Sequence, residues 1–435
     1  MGNQEAVQAY LNQIASAAEV EDGTTLAALL KIGDDHARQL NGALQAAHGS
    51  VVENAVRRRL NEQWAEVVWG HLRVLRALEG SGRSASASSP KRSTSVEDEA
   101  GIVRAAELQN TVAQAFHQVF TNQTRWCLPV LYAVDGDLRA LSIEADTYLQ
   151  RTGQKAGRLE DAARSMNKAF SYCVTDRFSP ADKSRKWGTY HIVNLLFRIY
   201  FRLQQTNLCP TILRSISAGD LPGLERFPIA DQLSFKYHVG VLAFYNENYK
   251  KADEDLSFAL WHCHAQLKKK GASSRLVKNR LLILNYLVPA RFILGILPHP
   301  TLLTKYPALN YLYGNFVTAI KRGDIKLFDQ SLYDLQRDLI DRGTYLTVER
   351  ARALAVRKLF KKVWILNGSS SRIQMTQFQK ALHLAGAEAT LDDVGCMLAN
   401  MIDKGYLKGY VSYEKQMVVT AKEDPFPSIQ RLAIS

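Results

Sequence analysis

The stretch TLDDVGCMLANMIDKGYLKGYVSYEKQMVVT, residues 390–420, decides the fold of the chain's last quarter. Thr390 followed by Asp393 puts a hydroxyl at a helix N-cap and a carboxylate at N3, where each can satisfy the other's backbone N–H. The helix so started runs to about Lys404 and stops at Gly405, a residue suited to the left-handed turn that ends helices. Two strands follow, Tyr406–Ser412 and Lys415–Thr420, around a short turn. Upstream, Thr376 can cap a helix through Leu384 that ends near Gly386. Helix, helix, hairpin is the order of a winged helix. A preceding long helix, Val348–Leu366, would join it to the rest of the chain.

Working outward, residues 100–350 carry helical apolar spacing almost throughout and no alternating strand pattern. Breaks fall at Leu128-Pro129, Cys209-Pro210, Leu221-Pro222-Gly223, Pro289, Pro298 to Pro300 and Pro307. Tyr237–Tyr245, a turn at Asn246-Glu247-Asn248 and Tyr249–Leu267 read as a helical hairpin. Gly240, Ala243, Tyr249, Ala252, Leu256 and Ala259 sit where tetratricopeptide-like hairpins need close helix approach. The fold class expected is all-α: a right-handed helical-repeat solenoid ending in a small α+β winged helix. Residues 1–79 read as N-terminal helices, Ala6–Ala17, Thr25–Ala47 and Val51–Leu78, punctuated at Asp22-Gly23 with Thr24 or Thr25 as cap. Residues 80–99, GSGRSASASSPKRSTSVEDE, are low in complexity and read as a disordered loop. The expected order is therefore N-terminal helices to 79, loop 80–99, helical array 100–350, winged helix 351–424 and tail 425–435.

Composition agrees with this reading. Over 435 residues there are only 26 Gly and 12 Pro, few breakers for so long a chain. A hydrophobic fraction of 46% against 22% charged residues supports a large core and excludes global disorder. No apolar run is long enough to span a membrane. The first residues, MGNQEAVQAYLNQ, lack a signal-peptide pattern, and Ala6 disfavours myristoylation of Gly2. Five scattered cysteines without a C-x-x-C pair argue against disulfides or a thiolate zinc site. In His262-Cys263-His264, consecutive helical side chains diverge by about 100° and cannot face one ion, so packing is the better reading. No cofactor or metal is expected.

The formal charge of +13 is unevenly placed. Residues 181–362 hold 29 Lys plus Arg against 14 Asp plus Glu, whereas 1–180 and 363–435 are near balance. No acid occurs between Asp255 and Asp324, a span with ten cations: Lys268, Lys269, Lys270, Arg275, Lys278, Arg280, Arg291, Lys305, Lys321 and Arg322. A single-sign field of this kind attracts nucleic acid or an acidic protein.

Catalysis finds no support. The nucleotide-binding loops, H-E-x-x-H and G-x-S-x-G are absent. His36, His71 and His191 lack a nucleophile at a recognisable spacing, and Asp253-Glu254-Asp255 reads as one solvated helical turn. The winged helix is a poor base reader. Its second helix carries Asp392, Asp393 and Asp403 and one cation, Lys404, where groove readers carry Arg, Lys, Asn or Gln. Lys408, Lys415 and Lys422 can reach phosphates from the wing. Leu407, Val411 and Val418 suit pairing with a partner's winged helix along a sheet edge.

The combined architecture resembles the PCI-domain family. WCLPVLYAVDGDLR (126–139), SRKWGTYHIVNLLFRIYFRL (184–203), DLSFALWHCH (255–264), KNRLLILNYLVPARFILGILP (278–298), RKLFKKVWIL (357–366), MLANMIDKGYLKGYVSYEKQMVV (397–419) and KEDPFPSI (422–429) are similar to the group of PCI-domain-containing protein 2 and the signalosome subunit 12 homologues. That resemblance implies a non-catalytic nuclear scaffold subunit coupling transcription to mRNA export. It implies a large PCI scaffold partner of the GANP type and a small acidic disordered subunit shared with the proteasome lid. The acidic chain would lie along Lys268–Lys270, Arg275 and Lys278, with Trp261, Tyr286 and Phe292 as apolar anchors; core packing is the competing reading for those aromatics. RNA or DNA competes for Lys268, Lys269, Lys270, Arg275, Lys278, Arg280, Arg291, Lys408 and Lys415. The alternative is a signalosome-type structural subunit without a nucleic-acid role.

Overall fold

The computed structural model describes residues 2–33, 35–79, 96–177, 180–267 and 274–432. They form two units, Met1–Phe235 and Lys236–Ser435. Each is built of helices packed against their sequence neighbours, and the second ends in a three-stranded sheet. The fold is thus a helical-repeat array followed by a winged helix, as the apolar spacing predicts.

In the first unit the long N-terminal helices are broken more often than expected. Thr25–Ala47 divides into Gly23–Leu29 and Asp35–Ala46, and Val51–Leu78 belongs to Gly49–Arg59 and Glu62–Glu79. Backbone groups freed at the first break find side chains. The Tyr10 hydroxyl donates to Leu29 O at 2.9 Å, and Ile32 N–H donates to Asp137 Oδ2 at 2.9 Å. At the second break Asn61 Oδ1 accepts from Trp64 N at 2.9 Å, a side-chain cap. The cap at 22–25 is Asp22 rather than either threonine; Oδ1 takes Thr24 N and Thr25 N at 3.1 Å each. Residues 80–95 of the expected loop lie outside the described residues. Residues 96–99 are helical and open the helix Val96–Thr121.

Further along this unit, buried polar groups fix the hairpins. Asp146, inside Leu128–Arg151, accepts from Gly157, Arg158 and Leu159 N–H at 2.9 Å and so caps the next helix, Arg158–Val174, from a distance. His117 and Asp135 meet at 3.0 Å with both side chains buried. Prolines 129 and 210 stand in first helical turns, where the missing N–H costs nothing.

The second unit contains the expected hairpin. Tyr245 ends one helix, Glu247 takes a left-handed φ of 61°, and Tyr249–Leu267 returns. Gly240 lets the helices close: a Cβ there would meet Leu256 Cγ at 2.8 Å. Pro289 does not break the chain as expected. It lies inside Ser274–Ile293. The carbonyl its absent N–H leaves free is that of Asn285, four residues back. Buried Tyr313 donates its hydroxyl to that oxygen at 2.9 Å. Tyr313→Phe should therefore orphan a buried carbonyl and destabilise this unit by about 1–3 kcal/mol; urea unfolding measures it, and a loss below about 0.5 kcal/mol would contradict the compensation.

The winged helix begins after Arg352–Leu366, which is separated at Ala351 from Tyr345–Arg350 rather than continuous with it. Its helices are Met375–Leu384 and Leu391–Asp403. Residue 374, not Thr376, is the N-cap of the first. Thr390 and Asp393 form the expected capping box, and Gly405 turns out with φ 68°. The sheet holds β1 (Arg372–Gln374), β2 (Gly409–Ser412) and β3 (Met417–Thr420) in the order β1-β3-β2, all antiparallel. Phe360, Phe378, Val394, Leu398, Leu407 and Val418 form its core.

The segment after the sheet is packed down. Phe426 is buried in that core, and Lys408 N–H donates to Pro425 O at 2.8 Å. Arg357 donates to Tyr406 O at 3.0 Å and to Pro427 O. Ile429 lies on Gly295, where a Cβ would sit 2.7 Å from its own Cβ.

Candidate interaction surfaces

The hairpin Tyr249–Leu267 and Ser274–Ile293 carries most of the residues expected to bind. Its register is marked by buried Cys263, whose thiol lies 3.5 Å from Leu276 O. Trp261 is two residues before that contact and is 66% exposed, so it is not a core residue. Val277 and exposed Lys278 follow the contact on the other helix, with exposed Leu282 one turn on. Trp261, Val277, Lys278 and Leu282 are thus exposed on the two helices of this hairpin.

Several expected residues do other work. Phe292 is fully buried and stands edge-on to Tyr313 at 5.9 Å, so it is core and not an anchor. Tyr286 is half-buried in an aromatic cluster, 5.4 Å from Phe244, and its hydroxyl meets that of Tyr245 at 3.1 Å. Burial, first, and Tyr245 beside it push the Tyr286 phenol well above its ordinary range. Arg291 is bound within the unit, to Asp253 Oδ1 at 2.6 Å and Ser257 Oγ at 3.0 Å. Arg280 is half-buried with its guanidinium 5.2 Å over the Tyr306 ring. Lys268, Lys269 and Lys270 lie outside the described residues, as does the side chain of Arg275. Of the expected cations, Lys278, Lys408 and Lys415 stand exposed.

The acids at 253–255 are not a solvated turn. Asp255 is buried and holds Lys236 at 2.5 Å and Lys251 at 3.3 Å, while Asp253 holds Arg291. The Lys236 and Arg291 pairs tie neighbouring helices together, while Lys251–Asp255 lies within Tyr249–Leu267. Burial pushes the thiol of Cys209 up to about 12 and raises those of Cys127 and Cys173 further, which makes all three poor nucleophiles. His262 packs on Phe258 at 4.3 Å. Among the described residues, no three His, Cys, Asp or Glu converge as a metal site, and no helix is long and apolar enough to cross a membrane.

In the winged helix, Leu407 and Val418 are core residues, and β3, which carries Val418, is the central strand. They hold the domain together and offer no side chain to an edge partner. The free edge on the hairpin side is β2, with half-buried Val411 and with Tyr410 61% exposed. Tyr410 escaped the sequence reading because alternation marks two faces without saying which one is covered. Asp392 accepts from the Tyr413 hydroxyl at 2.9 Å, and Asp393 is spent on its cap. A cleft of about 250 Å³ lies between Arg352–Leu366 and Leu391–Asp403, floored by Val356, Met397 and Met401. Its arginines are committed: Arg352 grips Asp329 with two bonds of 2.6 and 2.8 Å, and Arg350 pairs with Glu247.

A PCI-domain model matches residues 332–422. Over nearly its full length the chain is similar to the protein CSN12 homolog of Mycosarcoma maydis, at 34% identity covering 95% of this chain and 93% of that protein. It is 30% identical to PCI domain-containing protein 2 of Danio rerio, with 98% of each chain covered. The PCI domain-containing protein 2 homolog of Drosophila melanogaster is 33% identical, with 97% and 98% covered.

Proposed function

Because the chain belongs to the PCI-domain family, together with the CSN12 homologues and PCI domain-containing protein 2, we propose that it is a non-catalytic scaffold subunit of a nuclear PCI complex. In this reading it couples transcription to mRNA export, works in the nucleus and at the nuclear pore with a cytoplasmic share, and offers a basic surface to nucleic acid. The carrying observation is the hairpin around Trp261: apolar side chains and Lys278 left in water, at the start of a chain segment free of acids from 256 to 323. A large PCI scaffold subunit of the GANP type and a small acidic disordered subunit are the partners proposed for it. Phosphate contacts made there are sequence-independent, since Lys and Arg reach phosphates while the acids of Leu391–Asp403 disfavour a groove.

The names of the fungal relatives favour a second reading, a signalosome subunit 12-type structural subunit whose basic face is covered by protein alone. Lys268→Glu, Lys269→Glu and Lys270→Glu together separate the two. The first reading expects RNA affinity to fall at least about tenfold, with a shallower salt dependence, while the partners still co-purify. The second expects the partners to be lost. Mass spectrometry of the tagged chain's complex and fluorescence anisotropy with a labelled RNA read both; an intact complex with unchanged RNA affinity would sink both.

A further inference from the structure

A second cationic surface gathers around the left-handed turn at Gly323. That glycine ends Pro307–Arg322 with φ 69° and lies on the backbone of the next long helix, where a Cβ would meet Leu359 N at 2.8 Å. Lys362 bridges the same junction, its Nζ donating to Arg322 O at 2.6 Å. On the far side of the turn, the methylenes of Lys326 lie against Gly386, 3.2 Å from a Cβ built there. Lys321, Arg322, Lys326, Lys358 and Lys362 are therefore brought together from three helices, and all five are exposed. None joins an ion pair among the described residues, although elsewhere in this unit Asp253, Asp255, Asp329 and Glu247 are all paired. Asp324 is spent on capping Leu327 N at 2.9 Å, Asp329 holds Arg352, and exposed Glu388 is two residues from Gly386.

Aliphatic side chains flank these cations. On Arg352–Leu366, Ile365 (53% exposed) and Leu366 (85%) stand one turn beyond Lys362, which itself follows Lys358 by one turn. Leu384, 91% exposed, is two residues before Gly386. Single exposed leucines are ordinary, but three large aliphatic groups about one unpaired cationic cluster are not. They also distinguish the ligand. Single-stranded nucleic acid is held by rings that stack on bases; these apolar groups have none.

We propose that this surface docks a short acidic segment of a partner protein, its carboxylates on the lysines around Gly323 and its Leu, Ile or Val side chains on Leu366 and Leu384. This rests on the acidic-partner reading above and places that chemistry on Lys326, Lys358 and Lys362 together with Lys321 and Arg322 of the acid-free segment. The test places the photo-cross-linker p-benzoylphenylalanine at Leu384, and separately at Leu366, in the full chain. The complex is irradiated after purification through its tag, and the cross-linked segment is sequenced by mass spectrometry. The expected product is a partner segment with net negative charge and aliphatic residues. Lys321→Glu with Lys358→Glu should lower its yield about tenfold at an unchanged Tm; Lys358→Glu alone serves if that pair unfolds. Cross-links to RNA, to a second copy of this chain or to a neutral or basic segment would overturn the proposal. So would no cross-link in an intact complex, or a yield indifferent to charge reversal.

Discussion

Arg185→Ala is expected to destabilise the N-terminal unit by about 3–5 kcal/mol, the cost of leaving a buried carboxylate without its counter-charge. The Arg185 guanidinium donates to Asp176 Oδ1 at 2.7 Å, to Phe120 O at 3.0 Å and to Thr121 O at 2.5 Å. The two carbonyls belong to the last turn of Val96–Thr121, where Phe120 O also accepts from Gln123 N at 3.1 Å. Asp176 also accepts from Ser184 Oγ at 2.7 Å and Arg185 N at 2.8 Å, with its side chain only 2% exposed. One arginine thus closes a helix end and neutralises a loop carboxylate. Burial alone would raise the Asp176 carboxyl, but the hydrogen bonds from Arg185 and Ser184 outweigh it and hold the group below its ordinary value. The sign of the pH effect follows. Its stabilisation is full above about pH 4, the unfolded carboxyl value, and is lost as pH falls through the lower folded value. Urea titrations of the two proteins at neutral pH and near pH 3 check this. A neutral-pH gap under about 1 kcal/mol would contradict the account, as would a gap that does not narrow in acid.

Gly323→Val should cost about 3 kcal/mol or more and loosen the entrance to the winged helix. A side chain in the left-handed region costs about 1–2 kcal/mol, and crowding a packed junction adds about 1–3 kcal/mol. Here the crowding is against backbone, Leu359 N at 2.8 Å and its Cα at 3.1 Å, which cannot swing aside. Gly368→Val is the control. Gly368 has φ 67° but open space about it, so only the conformational cost applies. Hydrogen exchange across 352–422 should rise strongly for the first variant and little for the second. Equal losses would mean that the contact at Leu359 contributes nothing.

The winged helix was legible because its signals are local. Thr390, Asp393 and Gly405 fix a helix within their own neighbourhood, and the hairpin strands follow within fifteen residues. β1 was not, since three residues are too few to display alternation. Pro289 misled for a related reason: its tolerance depends on Tyr313, 24 positions away, which no window around the proline contains. Site residues suffered most. Alternation made Leu407 and Val418 apolar-facing, and the face proved to be core. The acids at 253 and 255 looked solvated because their partners come from other helices, at 291 and 236. The exposure of Trp261 and Leu384 is likewise a property of packing, invisible in either residue's own segment.

The placement of Phe426 has a consequence for synthesis. Phe426 joins the winged-helix core from beyond the sheet, 191 residues after the first unit ends at Phe235. At about 5–20 residues per second, some ten to forty seconds separate the end of the first unit from its arrival. The N-terminal helices can close during translation, while the sheet, the Arg357 contacts and the seat at Gly295 wait for residues 417–429. A ribosome stalled before codon 426 would therefore hold a chain with one finished unit and one open apolar core, a natural client for chaperones and quality control.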